Sequence, residues 1–266
     1  MTGYVHHLSV DLKSGIRDAT LMLMNYLFPI GFFLMIGLFM PTINPGFVNL
    51  MIPGMIVFAI MSGTLMTIPA TLIDQREAGI LRSYRVNGVP AGSLITIPVV
   101  GAVGHMAIVA AILTALSALL YGAPLPVNWA GFVVTFMLTV LSFATLSVLI
   151  GIVAPTSRAA TLLSQLVYLP SVLLGGLMVP EELLPEAVAR GASLLPATQA
   201  MRAFNTIAFA GEPLATAAGP LLVLAASTVV NLSLCGVLFA WDPRTRRPRV
   251  LALLALVPFS VAVVLG

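Results

Sequence analysis

Few residues in this 266-residue sequence could do chemistry, and their types exclude more than they suggest. The imidazole and thiol groups are His6, His7, His105 and the single cysteine, Cys235. One cysteine makes neither an intrachain disulfide nor a cysteine metal cluster. Cys235 stands in an apolar run and reads as a small buried hydrophobe. His6 and His7 are paired near the N-terminus and read as interfacial groups rather than ligands. His105 stands in an apolar stretch, where an ionisable group is a functional candidate by default. The alternative is a neutral imidazole hydrogen-bonded to a neighbouring helix. Met61-Ser62-Gly63-Thr64 could carry a serine nucleophile, but small-residue helix packing is the better reading. The apolar stretches hold no carboxylate. That leaves no pair for acid–base work and no evident proton relay.

The one lysine, Lys13, follows Leu12. A phosphate-binding P-loop needs Gly-Lys-Ser/Thr after a glycine-rich turn. This sequence cannot supply one, so if ATP drives the work, another chain binds it.

The elements that position these residues are membrane helices. Hydrophobic residues make up 59% of the chain and charged residues 8%. A soluble domain carries about 25% charged residues. No Lys, Arg, Asp or Glu occurs within Ala19 to Ile73, Val86 to Ser157, Ala159 to Pro180 or Pro213 to Trp241. Such stretches lack the polar face of a soluble helix. In lipid their backbone groups must be satisfied internally, which selects helices; the alternating pattern of a β-barrel is absent. The fold expected is an all-α polytopic membrane protein, a single domain over residues 1–266. Six spans are placed near 20–40, 50–73, 94–120, 130–154, 159–179 and 217–241. A seventh apolar run, Val250 to Gly266, contains Pro258 and is a possible extra span. The first residues show no apolar core with a cleavage site, so no cleaved signal peptide is read.

Orientation follows from the positive-inside rule. With the N-terminus in the cytoplasm, all twelve basic residues except Arg190 and Arg202 fall inside. The net charge of +3 is explained by this topology and suggests no nucleic-acid partner. Residues 8–18 set Leu8, Leu12 and Ile16 at helical spacing against Asp11, Lys13, Arg17 and Asp18, the pattern of an interfacial helix on membrane lipid. Residues 74–93 form an inside loop, and residues 180–216 an external segment of short helices broken by Pro180, Pro185, Pro196 and Pro213. Within the inside loop, Ile80, Leu81 and Tyr84 fall on one helical face, with Arg82 and Arg85 on a neighbouring one. A short helix of this kind can fill a groove on a partner protein, or its arginines can simply anchor at headgroups.

The stretch Asp74-Gln75-Arg76-Glu77-Ala78-Gly79-Ile80-Leu81-Arg82, followed by Val89-Pro90, resembles the pattern after the second span of type-2 ATP-binding-cassette (ABC) exporter permeases. Gly175-Gly176-Leu177-Met178-Val179-Pro180, Leu183-Leu184-Pro185 and Leu194-Leu195-Pro196-Ala197-Thr198 are similar to that family's elements between spans five and six. The resemblance covers about residues 8–243. It departs at Gln199, where the family carries an aromatic, and in the extra apolar run after residue 250.

The resemblance implies the membrane subunit of an exporter. It implies no cofactor in this chain, with ATP and Mg on two partner ATPase subunits, and a second permease copy, forming a homodimer. Arg76, Glu77, Gly79, Ile80, Leu81, Arg82, Tyr84 and Arg85 would form the coupling helix. The turn from Gly151 to Thr161, with Arg158, would make a smaller contact, and the external helices would cap the exit. The expected location is a bacterial inner membrane. The expected substrate is amphipathic or lipid-like, passing Met55, Phe58, Met61, Gln165 and Tyr168, because flexible thioethers suit adaptable apolar surfaces and interior polar groups are few. Core filling is the commoner use of methionine. The competing class is an ATPase-independent secondary transporter or channel, against which stands the lack of carboxylates in the spans. A membrane-embedded enzyme is disfavoured by the missing catalytic constellation.

Overall fold

The computed structural model describes residues 19–239. The interfacial segment 8–18, the histidines His6 and His7, the arginines after Trp241 and the apolar run 250–266 lie outside the described residues. Among the described residues every regular element is helical. Five helical stretches are long and apolar enough to cross a membrane: Ala19–Ile43 (α1), Phe47–Glu77, Ala91–Tyr121 (α5), Trp129–Val153 (α6) and Leu214–Leu238. The chain is an all-α polytopic membrane protein.

The stretch Phe47–Glu77 is two helices, Phe47–Leu65 (α2) and Ile68–Glu77 (α3). The Thr67 hydroxyl donates to the Gly63 carbonyl at the joint, and Pro69 fills an early position of α3 where a missing N–H costs nothing. Helix α3 continues past Asp74, so charge does not end it. Gly79 does: its φ of +74° lies in the left-handed region, where a residue with a Cβ is strained. The helix expected over about 75–86 is therefore split, and Ile80–Val86 (α4) starts anew beyond the glycine. Asn87 follows α4, and Gly88 takes φ +71° before α5.

The fifth expected span appears as Ser157–Leu174 (α7), started by Thr156, whose hydroxyl accepts from the Ala159 N–H at 3.2 Å. At about 1.5 Å per residue, its 18 residues reach roughly 27 Å. The helix ends at Gly175, and Gly176 just beyond it takes φ +80°. After a short 3-10 turn at Glu181–Leu183 come Glu186–Ala192 (α8) and Pro196–Ala203 (α9), the latter continuing as a π turn over Phe204–Phe209. The last helix, Ala218–Leu238 (α10), runs from a 3-10 turn at Leu214–Ala217.

Helices α2 and α6 form the middle of the bundle: 78% and 83% of their apolar windows are buried, against 22% for α1. Phe58, Met51, Met55 and Met61 of α2 and Phe143 of α6 belong to the buried core built around them. Helix α10 packs along α6, where the Asn231 amide donates to the Ser142 carbonyl at 3.3 Å and to the Thr145 hydroxyl at 3.2 Å. An amide between apolar helices fixes their rotation, because any other register strands it in hydrocarbon.

Candidate functional site

The end of the bundle that carries α4 is built from three turns. Helix α4 packs on α3. Leu81, 5% exposed, is its anchor, whereas Ile80 is 39% exposed and Val86 80%. Tyr84 is half-buried and Arg82 and Arg85 are exposed. The expectation that Ile80, Leu81 and Tyr84 share one outward face is corrected here. Successive helical residues are turned by about 100°, which aims Leu81 at its own chain while Ile80 and Tyr84, one turn apart, stay near the rim. Glu77 and Gly79 are exposed at the break between α3 and α4.

Arg76 does something the sequence pattern does not show. Its guanidinium donates to the Ala154 carbonyl at 2.7 Å and reaches the Ile152 carbonyl at 3.5 Å. Those oxygens belong to the last turn of α6, where four carbonyls have no partner within the helix. A cation at a helix C-terminus also complements the helix dipole. Arg76 thereby clasps the turn 154–156 to the α3–α4 break. Gly151 sits close by, where an added Cβ would meet the Leu72 side chain at 2.9 Å and Pro69 Cα at 3.2 Å, so α3 and α6 touch nearly backbone to backbone. Arg158, on the first turn of α7, is exposed.

At the opposite end, α9 does not lie on a surface. Pro196 to Met201 are all buried, and the helix packs on α2, α6, α7 and α10. Small residues permit the approach: an added Cβ at Gly175, at the end of α7, would stand 3.0 Å from Ala197 Cβ of α9, and one at Gly54 of α2 would stand 2.9 Å from the Leu177 carbonyl oxygen in the connection before α8. Thr198 donates to the Ala192 carbonyl at 2.6 Å and the Gln199 amide to the Ser193 carbonyl at 2.6 Å. Gln199 thus ties α9 to the end of α8. Arg202 grips Glu181 through both carboxylate oxygens, with Nε 2.8 Å from Oε2. The side-chain bond to Glu181 raises the arginine's pKa above its already high value. Such a group contributes below its unfolded-state pKa and is lost only as pH rises through the folded one, so Arg202 stays charged at any working pH.

The proposed pathway residues separate into two sets. Met55, Phe58 and Met61 are at most 2% exposed, in the core between α2 and its neighbours. Phe58 also belongs to an aromatic seam: it stacks on Phe32 at 4.0 Å between centroids and meets Tyr168 at 6.1 Å. Gln165 is half-buried one turn before Tyr168 on α7. The structure brings Phe58 and Tyr168 together, while Met55 and Met61 are buried elsewhere along α2. His105 meets Tyr26, whose hydroxyl is 2.7 Å from its Nδ1, as the helix-bonding reading of that histidine expects. The described residues contain no group of His, Cys, Asp or Glu able to hold a metal.

The model of the ABC-2 type transporter family matches residues 8–209, a stretch that includes α4, the Arg76 clasp and α9. The chain belongs to that family. As an ABC-2 type transporter domain it is the membrane component of its system and not the ATPase, and ATP binding is on a partner ATPase. No curated protein and no solved structure matches the chain.

Proposed function

We propose that this chain is the membrane half of an exporter that moves an amphipathic or lipid-like molecule out of the cytoplasm, driven by ATP hydrolysed on two separate ATPase subunits docked beneath α4. In this reading the N-terminus is cytoplasmic, α7 is the sixth crossing helix, the location is a bacterial inner membrane, and two copies of the chain pair. The observation that carries it is α4 itself. A short helix stands out between two left-handed glycines, is anchored from behind by Leu81 and Arg76, and offers Ile80, Tyr84, Arg82, Arg85 and Val86 outward. An exposed helix with apolar and basic groups, held rigidly to the bundle, suits a partner's groove.

Pairing of two copies is supported by α7. Its exposed Leu162, Leu166, Leu169 and Leu173 recur at spacings of four, three and four, the seam of helices that pack as coiled coils. The aromatic seam of Phe32, Phe58 and Tyr168 borders the same helix and suits an apolar cargo. The test is ATP-driven uptake of a fluorescent short-chain monoacylglycerol into inside-out vesicles holding the chain and its co-purified ATPase. Uptake that needs ATP and that ATPase supports the reading. Uptake driven by an ion gradient alone would assign the chain to secondary transport instead.

A further inference from the structure

The first crossing helix is interrupted by a π turn at Leu23–Leu27. Such turns open the helical hydrogen-bond ladder and recur at functional sites. This one presents Asn25 and Tyr26. Asn25 is 6% exposed and its Oδ1 has no hydrogen-bond partner. It lies against Gly63 of α2, where an added Cβ would stand 3.0 Å from that oxygen and 2.5 Å from Met106 Cε of α5. Beside it, the Tyr26 hydroxyl is 2.7 Å from His105 Nδ1, and the two rings meet edge to face at 83°. Tyr26 and His105 are half-buried, while Leu23, Leu27, Gly104 and Ile108 around them are exposed. Asn25 is thus buried against α2, beside Met106 of α5, and the neighbouring Tyr26–His105 pair stands at the adjoining rim of α1 and α5, at the edge of an apolar surface.

A bond that only joins α1 to α5 would need Tyr26 and His105 and nothing more. It leaves Asn25 and the π turn unexplained. A buried acceptor without a donor is costly, and hydrocarbon brings no water to satisfy it.

We propose that Asn25, Tyr26 and His105 form a binding site for the neutral, hydroxyl- or amide-bearing head of an amphipathic molecule that enters from the bilayer between α1 and α5. The orphan oxygen of Asn25 takes a donor from the head. The Tyr26–His105 pair offers both a hydroxyl and an imidazole, so it can exchange its mutual bond for one to the ligand. No Lys, Arg, Asp or Glu lies anywhere from Ala19 to Ile73 or along α5, so nothing there compensates an ionic head, and a neutral one is selected. The inference deepens the exporter reading and rests on it for the ligand's role as cargo.

The test uses the full chain with its co-purified ATPase in lipid nanodiscs and two photoreactive probes: a monoacylglycerol with a diazirine in its acyl chain, and the methyl ester of the same acid, which has no donor. Labelling within Ala19–Ile43 and Ala91–Tyr121 is expected to favour the monoacylglycerol on the order of tenfold, the worth of one or two neutral hydrogen bonds. Asn25→Leu should reduce it to the level of the ester. Tyr26→Phe, which keeps the ring and its packing, should reduce it in part. Equal labelling of wild type by both probes would overturn the site, and so would monoacylglycerol selectivity retained in both variants. ATPase co-purification is scored on the same sample. Its loss with selective labelling intact would count against the exporter reading alone, and its persistence with equal labelling against the site alone.

Discussion

The Arg76 guanidinium lies 2.7 Å from the Ala154 carbonyl oxygen, joining two turns 78 residues apart at the same end of the bundle. One turn leads into α4 and the other into α7. The bond ties the α3–α4 break to the turn between α6 and α7, and in the proposed exporter it is the contact through which movement of α4 would be passed to both helices.

Replacing Arg76 with alanine should loosen that tie while leaving the spans inserted. A hydrogen bond from a charged donor contributes about 1.5–3 kcal/mol. The expected outcome is faster proteolysis at 154–157 and fewer molecules transported per ATP hydrolysed. Arg76→Lys keeps the charge but loses the planar fork and should fall between. Limited proteolysis and a transport-to-ATPase ratio check this; an unchanged ratio in Arg76→Ala would show that the clasp is not used.

Gly79 and Gly92 give a matched pair. Neither has an atom within 4 Å of an added Cβ, yet only Gly79 has a positive φ. Gly79→Ala should therefore cost roughly 1–2 kcal/mol through backbone strain and redirect α4, whereas Gly92→Ala should be tolerated. Thermal stability of the two purified variants, compared with their transport rates, separates strain from crowding.

Gly54→Ala should be more damaging than Gly31→Ala. At Gly54 the added Cβ would stand 2.9 Å from the Leu177 carbonyl oxygen, a backbone atom that cannot swing aside, while Gly31 has open space. The clash would push the α7–α9 connection off α2. Detergent-solubilised melting temperatures should show a clear loss for Gly54→Ala alone.

Most of the architecture is legible in the sequence because hydrophobic run length is a local property. The short helices between α7 and α10 are likewise announced by Pro180, Pro185, Pro196 and Pro213. The fine boundaries are not, since the α3–α4 break turns on the backbone conformation of Gly79, and the charges at Asp74 and Arg76 suggested a different end. The inward turn of Leu81 and the clasp of Arg76 on Ala154 depend on tertiary packing, which no helical periodicity encodes. The same holds for Glu181 with Arg202 and for Tyr26 with His105, partners 21 and 79 residues apart. The methionines are ambiguous in sequence for a related reason: thioethers suit binding surfaces and irregular cores equally, and Met55 and Met61 are buried in this chain.

The Glu181–Arg202 bridge should matter for order at the α9 end more than for overall stability. Its arginine is 40% exposed, and exposed pairs contribute about 0–1 kcal/mol. Glu181→Gln and Arg202→Met are expected to shift the melting temperature little, singly or together. Hydrogen exchange over 180–186 should instead accelerate in each; protection equal to wild type would show that the 3-10 turn is held by other contacts.

The central claim is that α4 docks an ATPase through its rim. Its most direct measurement is co-purification of the ATPase with the Ile80→Ala, Tyr84→Ala double variant, with Leu81 left intact because it anchors α4 to its own chain. Fully burying one exposed side chain contributes roughly 1.5–3 kcal/mol; Ile80 and Tyr84 already bury more than half of their surface, so losing the remainder of both should weaken docking on the order of tenfold. The account predicts normal expression and melting with loss of both co-purification and ATP-driven transport. A folded double variant that retains its ATPase and transports at the wild-type rate would contradict it.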